Sequence, residues 1–473
     1  MKCVDLVVFI INILDLIMNV KAVKYDSLVW QDAILTKEDK EKYQAEGYSA
    51  ELTKAEFEEK FDIPAENVCY TPSVSDRTLY FNRKTLAANT FPMFMYLTDV
   101  ETPNQFGLQG FYSAIREKEA EVQRGDFMGS IMSLPDSLRI EYFNMLIEKV
   151  EKENIDVKDF YTFFRDLYVL SDYGFSSLSP QTFQKIINTK TDAQKKETTK
   201  LISHLPDTVT IYRGHTEGIS TPEDLAYSWT TDIRVANFFA TKMGNEESEI
   251  IVATVPKDKI IEYLDDRYED EVWVKYEDIS IIERIECWGL SYLEEVLPEI
   301  QAEYLEYKEA LIFIEFDMES DIHGRLHTLR VLLHCLILSH ILELSEEDKH
   351  ILCTAALWHD TGRTCDGIDD KHGYCGMNNY KNSVYEEEFN PITAFLIEYH
   401  SLDDKKGLSE IENNSTLNKE KKRVTCLFNT FKDSDNLDRV RLGLRDLDIH
   451  YLRNTESKHL TKIARLLLEN IKE

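Results

Sequence analysis

Six residues in the last third of the chain have side chains suited to holding a hydrolytic metal: His327, the adjacent His359 and Asp360, then His372, His400 and Asp435. Imidazole nitrogen mixed with carboxylate oxygen, with no cysteine pair at finger spacing nearby, is the donor set of a centre that does chemistry. His327 stands in HGRLHTLRV, the doublet in LWHDTGRTCDGIDDKHG, His400 in IEYHS and Asp435 in KDSDNLDRVRLG. A lone buried histidine is usually a satisfied core residue, so the weight rests on the set and its order. Cys365 and Cys375 read as incidental thiols, and His334, His340 and His350 as ordinary helix residues. Arg363 and Lys371 are near enough to the doublet to bind a substrate phosphate, or equally to be solvated.

These motifs, in the order His, His-Asp, distal Asp, resemble the HD superfamily of metal-dependent phosphohydrolases over roughly Glu315 to Glu473. The resemblance implies an all-helical domain with one or two divalent ions. His327, His359, Asp360 and Asp435 would hold the first, and His372 with His400 would complete a second. Mn, Fe, Mg and Zn all suit such ligands. Two ions on the order of 4 Å apart lower the pKa of a shared water and clamp an attacked phosphorus, so hydrolysis of a phosphate ester or phosphoanhydride, as in a nucleotide or other small phosphoester, is the expected reaction.

The local patterns suit that placement. Apolar residues from Leu326 to Leu342 recur at helical spacing, and His323 and His327, four apart, are expected on one face of that helix. Ser345 followed by Asp348 predicts a capped start for a helix running to Trp358, which leaves His359 and Asp360 at its end.

A second constellation lies in the middle of the chain. VTIYRG alternates like a strand and ends at Arg213-Gly214; YSWTTD with Ser228, the helical run DIRVANFFATKM, the strand EIIVATVP and DDRYEDEVWV follow. The order Arg, Ser-x-Thr, Glu-x-Glu resembles the Arg-Ser-Glu class of mono-ADP-ribosyltransferases, over roughly Phe106 to Leu297. The resemblance makes NAD the substrate and arginine the favoured acceptor, on a protein or other macromolecule. Arg213 would hold the NAD phosphates with its planar fork of donors. Glu271 would sit against the ribose, where positive charge develops as the nicotinamide bond breaks. Glu269 would activate the acceptor guanidinium, Ser228 and Thr230 would order the site, and Phe238 or Phe239 would stack on nicotinamide. In the other reading, Tyr268 to Val274 is an exposed edge strand with both glutamates in solvent, and Arg213 only pins a loop.

The elements that must carry these residues point to an α+β multidomain protein. Four parts are expected: an N-terminal region of unassigned role at 1–105; a transferase-like domain at 106–297 whose first part, with DFYTFFRDLYVL and RIEYFNMLIEKV, is a helical lobe; a connecting helix at 298–314; and an all-helical domain at 315–473. The N-terminal part as a whole reads as mostly helical. The chain has 473 residues and a formal net charge of −32, most of it upstream of Glu315. Such a surface repels nucleic-acid backbones, so broad nucleic-acid binding is not expected. KEKKRV at 419–424, the one basic cluster, reads as a solvated face. The eight cysteines are scattered without a CxxC pair, which suits a reducing cytoplasm. The stretch at 1–22 carries a long apolar run and a small-residue VKA, as a secretion signal or tether would, but Asp5, Asn12 and Asp15 interrupt it, and a buried or amphipathic helix is the expectation. Two catalytic motifs in one chain suggest a bifunctional enzyme; the alternatives are an active hydrolase alone or a degenerate nucleotide-sensing scaffold.

Overall fold

The computed structural model describes residues 160–171, 180–216, 227–242, 247–443 and 445–471, with Glu59, Phe143 and the backbone of three short upstream strands. The apolar stretch at 1–22 and most of the helical runs at 53–61 and 139–150 lie outside the described residues. The chain forms two compact units, 24–201 and a second that holds everything described from Ile202 onward.

In the first unit, β1 (Val68–Thr71), β2 (Thr78–Asn82) and β3 (Phe94–Leu97) form an antiparallel meander. The expectation of a mostly helical N-terminal part falls largely outside the described residues, and this meander is strand within it. VCYT, TLYFN and FMYL are short and rich in aromatic and β-branched residues, a composition that favours pleated pairing. The helices α1 (Phe160–Val169), α2 (Pro180–Asn188) and α3 (Asp192–Leu201) follow. Tyr161, Phe164, Leu167 and Tyr168 form the buried stripe of α1, at the three-and-four spacing its sequence shows.

The second unit begins with a six-stranded antiparallel sheet. Its elements are β4 (Thr208–Thr216), β5 (Ser228–Thr230), α4 (Ile233–Lys242), β6 (Ser248–Pro256), β7 (Glu262–Leu264), β8 (Glu271–Trp273) and β9 (Ser280–Cys287), with strand order β7-β8-β5-β4-β6-β9. The unbroken apolar run of β6 arises because both its faces are covered. Ile251, Ala253 and Val255 join Ile211, Trp229 and Val272 on one side. Ile250 and Val252 point the other way, into a core shared with α4 and the helices beyond. At Gly214 a Cβ would lie 2.4 Å from the Ala236 carbonyl oxygen and 2.4 Å from the Ala240 nitrogen. Glycine is therefore what lets α4 close onto β4 beside Arg213.

The helical half comprises α5 (Leu290–Leu311), α6 (Arg325–Ile341), α7 (Glu346–Trp358), α8 (His372–Ser383), α9 (Pro391–Tyr399), α10 (Asp404–Asn413), α11 (Lys421–Leu437), α12 (Thr455–His459) and α13 (Thr461–Asn470). Among the described residues no strand follows Cys287. Helix α6 runs through the centre, with Val331, Leu332, Leu336 and Ile337 fully buried. The connecting helix starts at Leu290, eight residues before the expected 298, and carries Pro298 in its interior. Proline there forgoes one backbone hydrogen bond, and the apolar contacts of Leu293, Val296 and Ile300 on the same helix hold it in place. One continuous core joins Ile250 and Ile285 of the sheet to Leu332 and Leu336 of α6. Sheet and helices are thus one compact unit, where the sequence reading placed separate domains on either side of 298–314. Among the described residues no helix is long and apolar enough to cross a membrane.

Candidate metal centre and sheet site

Helix ends deliver the metal-centre residues. Ser345 Oγ accepts the Asp348 N–H at 3.2 Å and fixes the start of α7, whose other end presents His359 and Asp360. Asn390 caps α9 by accepting from the Ile392 and Thr393 nitrogens at 2.8 and 3.2 Å, with Pro391 at the first helical position, and α9 ends at His400. His372 opens α8, His327 lies on the first turn of α6 and Asp435 near the end of α11. All six meet in one place.

Asp360 is the hub. Its Oδ2 lies 3.4 Å from His327 Nε2 and 3.7 Å from His359 Nε2. Its Oδ1 lies 3.3 Å from His372 Nε2 and 3.7 Å from His400 Nε2. Asp435 Oδ1 stands on the first side only, 3.4 Å from His327 Nε2 and 4.0 Å from His359 Nε2, and its side chain is the most open of the six at 29% exposed.

Whether a cation fits is decided by the far side of each imidazole. His359 Nδ1 donates to the Ala356 carbonyl at 2.8 Å, His400 Nδ1 to the Ile397 carbonyl at 2.7 Å, and His372 Nδ1 to the Asp369 carbonyl. His327 Nδ1 donates to Asp438 Oδ2 at 2.7 Å. With every Nδ1 carrying a proton, each ring turns its Nε2 inward, and that nitrogen is bare once the ring is neutral, as a metal ligand must be. Those bare nitrogens face one another in pairs, His327 with His359 at 3.1 Å and His372 with His400 at 2.9 Å. Opposed lone pairs this close repel unless a cation lies among them, and tethering Nδ1 to a carbonyl or carboxylate is how proteins orient histidine for a metal. Burial pushes His359 down to about 3 and His372 down to about 4, so neither supplies that cation as a proton at neutral pH. Burial and Arg441 oppose the charge on His327 too, but hydrogen bonds to Asp360, Asp435 and Asp438 outweigh them and hold it up at about 10. Burial alone would raise the Asp360 carboxyl; His359 and hydrogen bonds from His323, His327 and His400 keep it well below its ordinary value. The buried cluster of His327, His359, Asp360 and His400 is able to hold a metal ion.

Three residues of this centre were not singled out as ligands or partners from the sequence. Asp438 is fully buried and takes a fork from Arg330, Nε to Oδ1 at 2.5 Å and Nη2 to Oδ2 at 3.1 Å, while it orients His327. Arg441 donates to the Asp438 carbonyl at 3.0 Å and to the Ile322 carbonyl at 2.9 Å, and its Nη2 lies 3.1 Å from His323 Nδ1. His323 stands 3.2 Å from Asp360 Oδ2, yet it precedes α6, which begins at Arg325 after Gly324. The expected shared helix face is therefore corrected: a turn brings His323 to the site. The usable signal for Asp438 was its spacing of three from Asp435, which puts both on one face of a helix. Arg363 donates to Asp360 Oδ1 at 2.9 Å, and Lys371 is exposed at the start of α8. His334, read as an ordinary helix residue, is fully buried, and neither of its ring nitrogens has a hydrogen-bond partner among the described residues.

Asp438→Ala is expected to weaken metal binding by about 10–100-fold through loss of the His327 orientation. It also strands the Arg330 guanidinium, at a cost of about 3–5 kcal/mol of stability. Calorimetric titration of the metal and denaturant melts of the metal-free protein measure the two effects separately.

On the sheet, Arg213 of β4, Ser228 and Thr230 of β5 and Glu271 of β8 fall on adjacent strands. Ser228 Oγ donates to Glu271 Oε1 at 2.6 Å, Arg213 Nη1 to the Ser228 carbonyl at 2.5 Å, and Thr230 Oγ1 to the Glu269 carbonyl at 2.6 Å. Glu271 is 4% exposed, and β8 lies between β7 and β5. This removes the reading of an exposed edge strand with Glu271 in solvent. Arg267, which the sequence reading passed over, reaches Glu269 Oε2 at 3.4 Å and Glu271 Oε2 at 3.6 Å. Phe238 and Phe239 sit on α4, edge to face at 5.6 Å; Arg465 lies over Phe238 at 5.3 Å, and Phe239 is the more exposed ring.

Compared with family models, with curated proteins and with solved structures, the chain matches none.

Proposed function

We propose that this protein is a bifunctional enzyme, a metal-dependent phosphohydrolase in its helical half and an NAD-dependent mono-ADP-ribosyltransferase on its sheet. The observation that carries the first activity is Asp360, with one carboxylate oxygen turned to each of two histidine pairs whose outer nitrogens are all tied down. His327, His359, Asp435 and Asp360 would hold one divalent ion, and His372, His400 and Asp360 a second. When bound, such ions supply Lewis acidity that activates water and offsets phosphoryl charge. The chain's own residues do the rest. Asp438 and the carbonyls of Ala356, Asp369 and Ile397 fix the rings; Arg363, whose Nε donates to Asp360 Oδ1 at 2.9 Å, would take a phosphoryl oxygen. Elemental analysis of the protein, followed by a panel of nucleotides and phosphodiesters with Mn, tests this reading. Protein that binds no divalent ion and hydrolyses none of the panel would overturn it.

Loading the centre at neutral pH is expected to expel a proton from His327, because its raised value keeps it charged in the metal-free protein and a ligand must be neutral. Apparent metal affinity should then climb about tenfold per pH unit from 7 towards 9 and level off near the His327 value. Titration calorimetry in buffers of different ionisation heat reads the proton count; no buffer dependence would place the proton elsewhere.

For the transferase, the support is the hydrogen-bonded series Arg213, Ser228, Glu271 on neighbouring strands, with Glu269 on the loop before β8. As the bond between nicotinamide and ribose breaks, its electron pair leaves with nicotinamide. Glu271, held by Ser228, stabilises the cationic sugar, and Glu269 takes a proton from the acceptor guanidinium. Incubation with labelled NAD and a cell lysate tests it; release of neither nicotinamide nor labelled product would remove it.

A further inference from the structure

The span from Asp435 to His450 belongs to both sites. Asp435, Asp438 and Arg441 build the metal centre, and four residues later Arg445 reaches out to the sheet. Arg445 Nη2 donates to the Tyr268 carbonyl and lies 3.0 Å from Asp270 Oδ2; its Nε lies 3.7 Å from Asp232 Oδ2. Arg234 closes the clasp, donating to the Arg445 carbonyl at 3.3 Å and to Asp232 Oδ2 at 2.6 Å. His450 then packs edge-on against Tyr212, at 6.2 Å. What Arg445 grips is unusual backbone. Tyr268 and Asp270, on either side of Glu269, have φ of 57° and 46°, a region that L side chains disfavour and that persists only where the surroundings impose it. Tyr263, donating to Asp270 Oδ1 at 2.6 Å, and the Thr231 nitrogen, donating to the Asp270 carbonyl at 3.0 Å, complete the restraint. Arg445 is the member that holds both left-handed residues at once.

We propose that Arg445 is a positioning residue for Glu269, and that a filled metal centre tightens its hold, so that the metal state of the helical half sets the order of the loop at 265–270. The proposal rests on the metal reading above and uses the transferase reading only to give the loop its task. An ion that fixes Asp435 and His327 also fixes Asp438, which His327 and Arg330 share, and Arg441, which Asp438 and His323 share. Arg441 lies four residues before Arg445 in the chain, so holding the first limits how far the second can move. Coupling of this kind needs no displacement, only an ordered state shared by the two sites.

Hydrogen exchange on the full chain, with and without Mn, tests it alongside calorimetry of Mn binding. In the wild type the ion is expected to slow exchange at 265–271 by about fivefold or more, the lower end of ordinary coupling between sites. In Arg445→Ala that slowing should vanish while the metal-dependent slowing in α6 and α11 remains. A merely structural arginine would give faster exchange by the same factor with and without the ion. Should Arg445→Ala fail to fold, Asp270→Ala removes the carboxylate that Arg445 Nη2 meets and carries the same expectation. Mn that binds but leaves 265–271 unchanged in the wild type overturns the coupling and spares the metal reading. Absence of Mn binding overturns both, and a variant that responds like the wild type takes the positioning role from Arg445.

Discussion

Asp360→Asn is expected to abolish retention of both ions and to bring phosphohydrolase activity to background. Each oxygen of Asp360 faces a different histidine pair, so its carboxylate can give one oxygen to each side. An asparagine offers one carbonyl oxygen and one amide nitrogen, and the nitrogen, a donor, would turn its hydrogens to one pair and evict the cation from it. The lost charge weakens the other. Removing an outer partner of a metal ligand costs about 10–100-fold, and removing the shared ligand should exceed that at both positions. His372→Ala serves as the contrast: it should cost one ion and leave the His327, His359 and Asp435 side occupied. Elemental analysis after chelation and reloading, with circular dichroism to check the fold, reads both variants. An asparagine variant that keeps two ions would show that Asp360 is not the bridge.

Glu271→Gln should lower NAD cleavage by about 10²–10³-fold, the ordinary effect of removing one group preorganised for transition-state charge. The substitution is conservative for the fold, because a glutamine carbonyl still accepts from Ser228 Oγ, now 2.6 Å from Glu271 Oε1. What disappears is the negative charge. Glu269→Gln separates the steps: nicotinamide release should persist while transfer to an arginine acceptor falls. Nicotinamide release and label transfer, measured on the same preparations, distinguish the two glutamates. Cleavage undiminished in Glu271→Gln would sink the assignment of that strand.

The parts of this protein that were legible in its sequence are those with local signatures. Ser345 and Asp348 marked the start of α7, and the long apolar spacing after Leu326 marked α6. Metal-ligand candidates were legible because histidines and aspartates at helix ends stand out against apolar flanks. Hidden features depended on distance along the chain. Asp438 is one of three aspartates from Asp433 to Asp438, and only its partner Arg330, 108 positions away, shows that it belongs with His327. Arg445 meets Tyr268 across 177 positions, and nothing near either residue signals the other. The extent of the helical half was misjudged for a related reason. A connecting helix from 298 is the expectation, but the apolar contacts along α5 carry it back through Pro298 to Leu290. The core common to sheet and helices was not legible, since periodicity tells which face of a strand is apolar but not which element will cover it.

That common core has a consequence for inheritance. Ile250 and Val252 of β6 and Ile285 of β9 are sealed by the helical half, and Leu293, Leu332 and Leu336 are part of the same interior. A descendant that needed only one of the two sites could silence the other with one substitution, at Asp360 or at Glu271. Deleting the unwanted half would instead lay open the apolar face of the half it kept. Loss in this lineage should therefore be written as degenerate residues inside full-length chains, with the scaffold of the silent site retained as a wall of the working one.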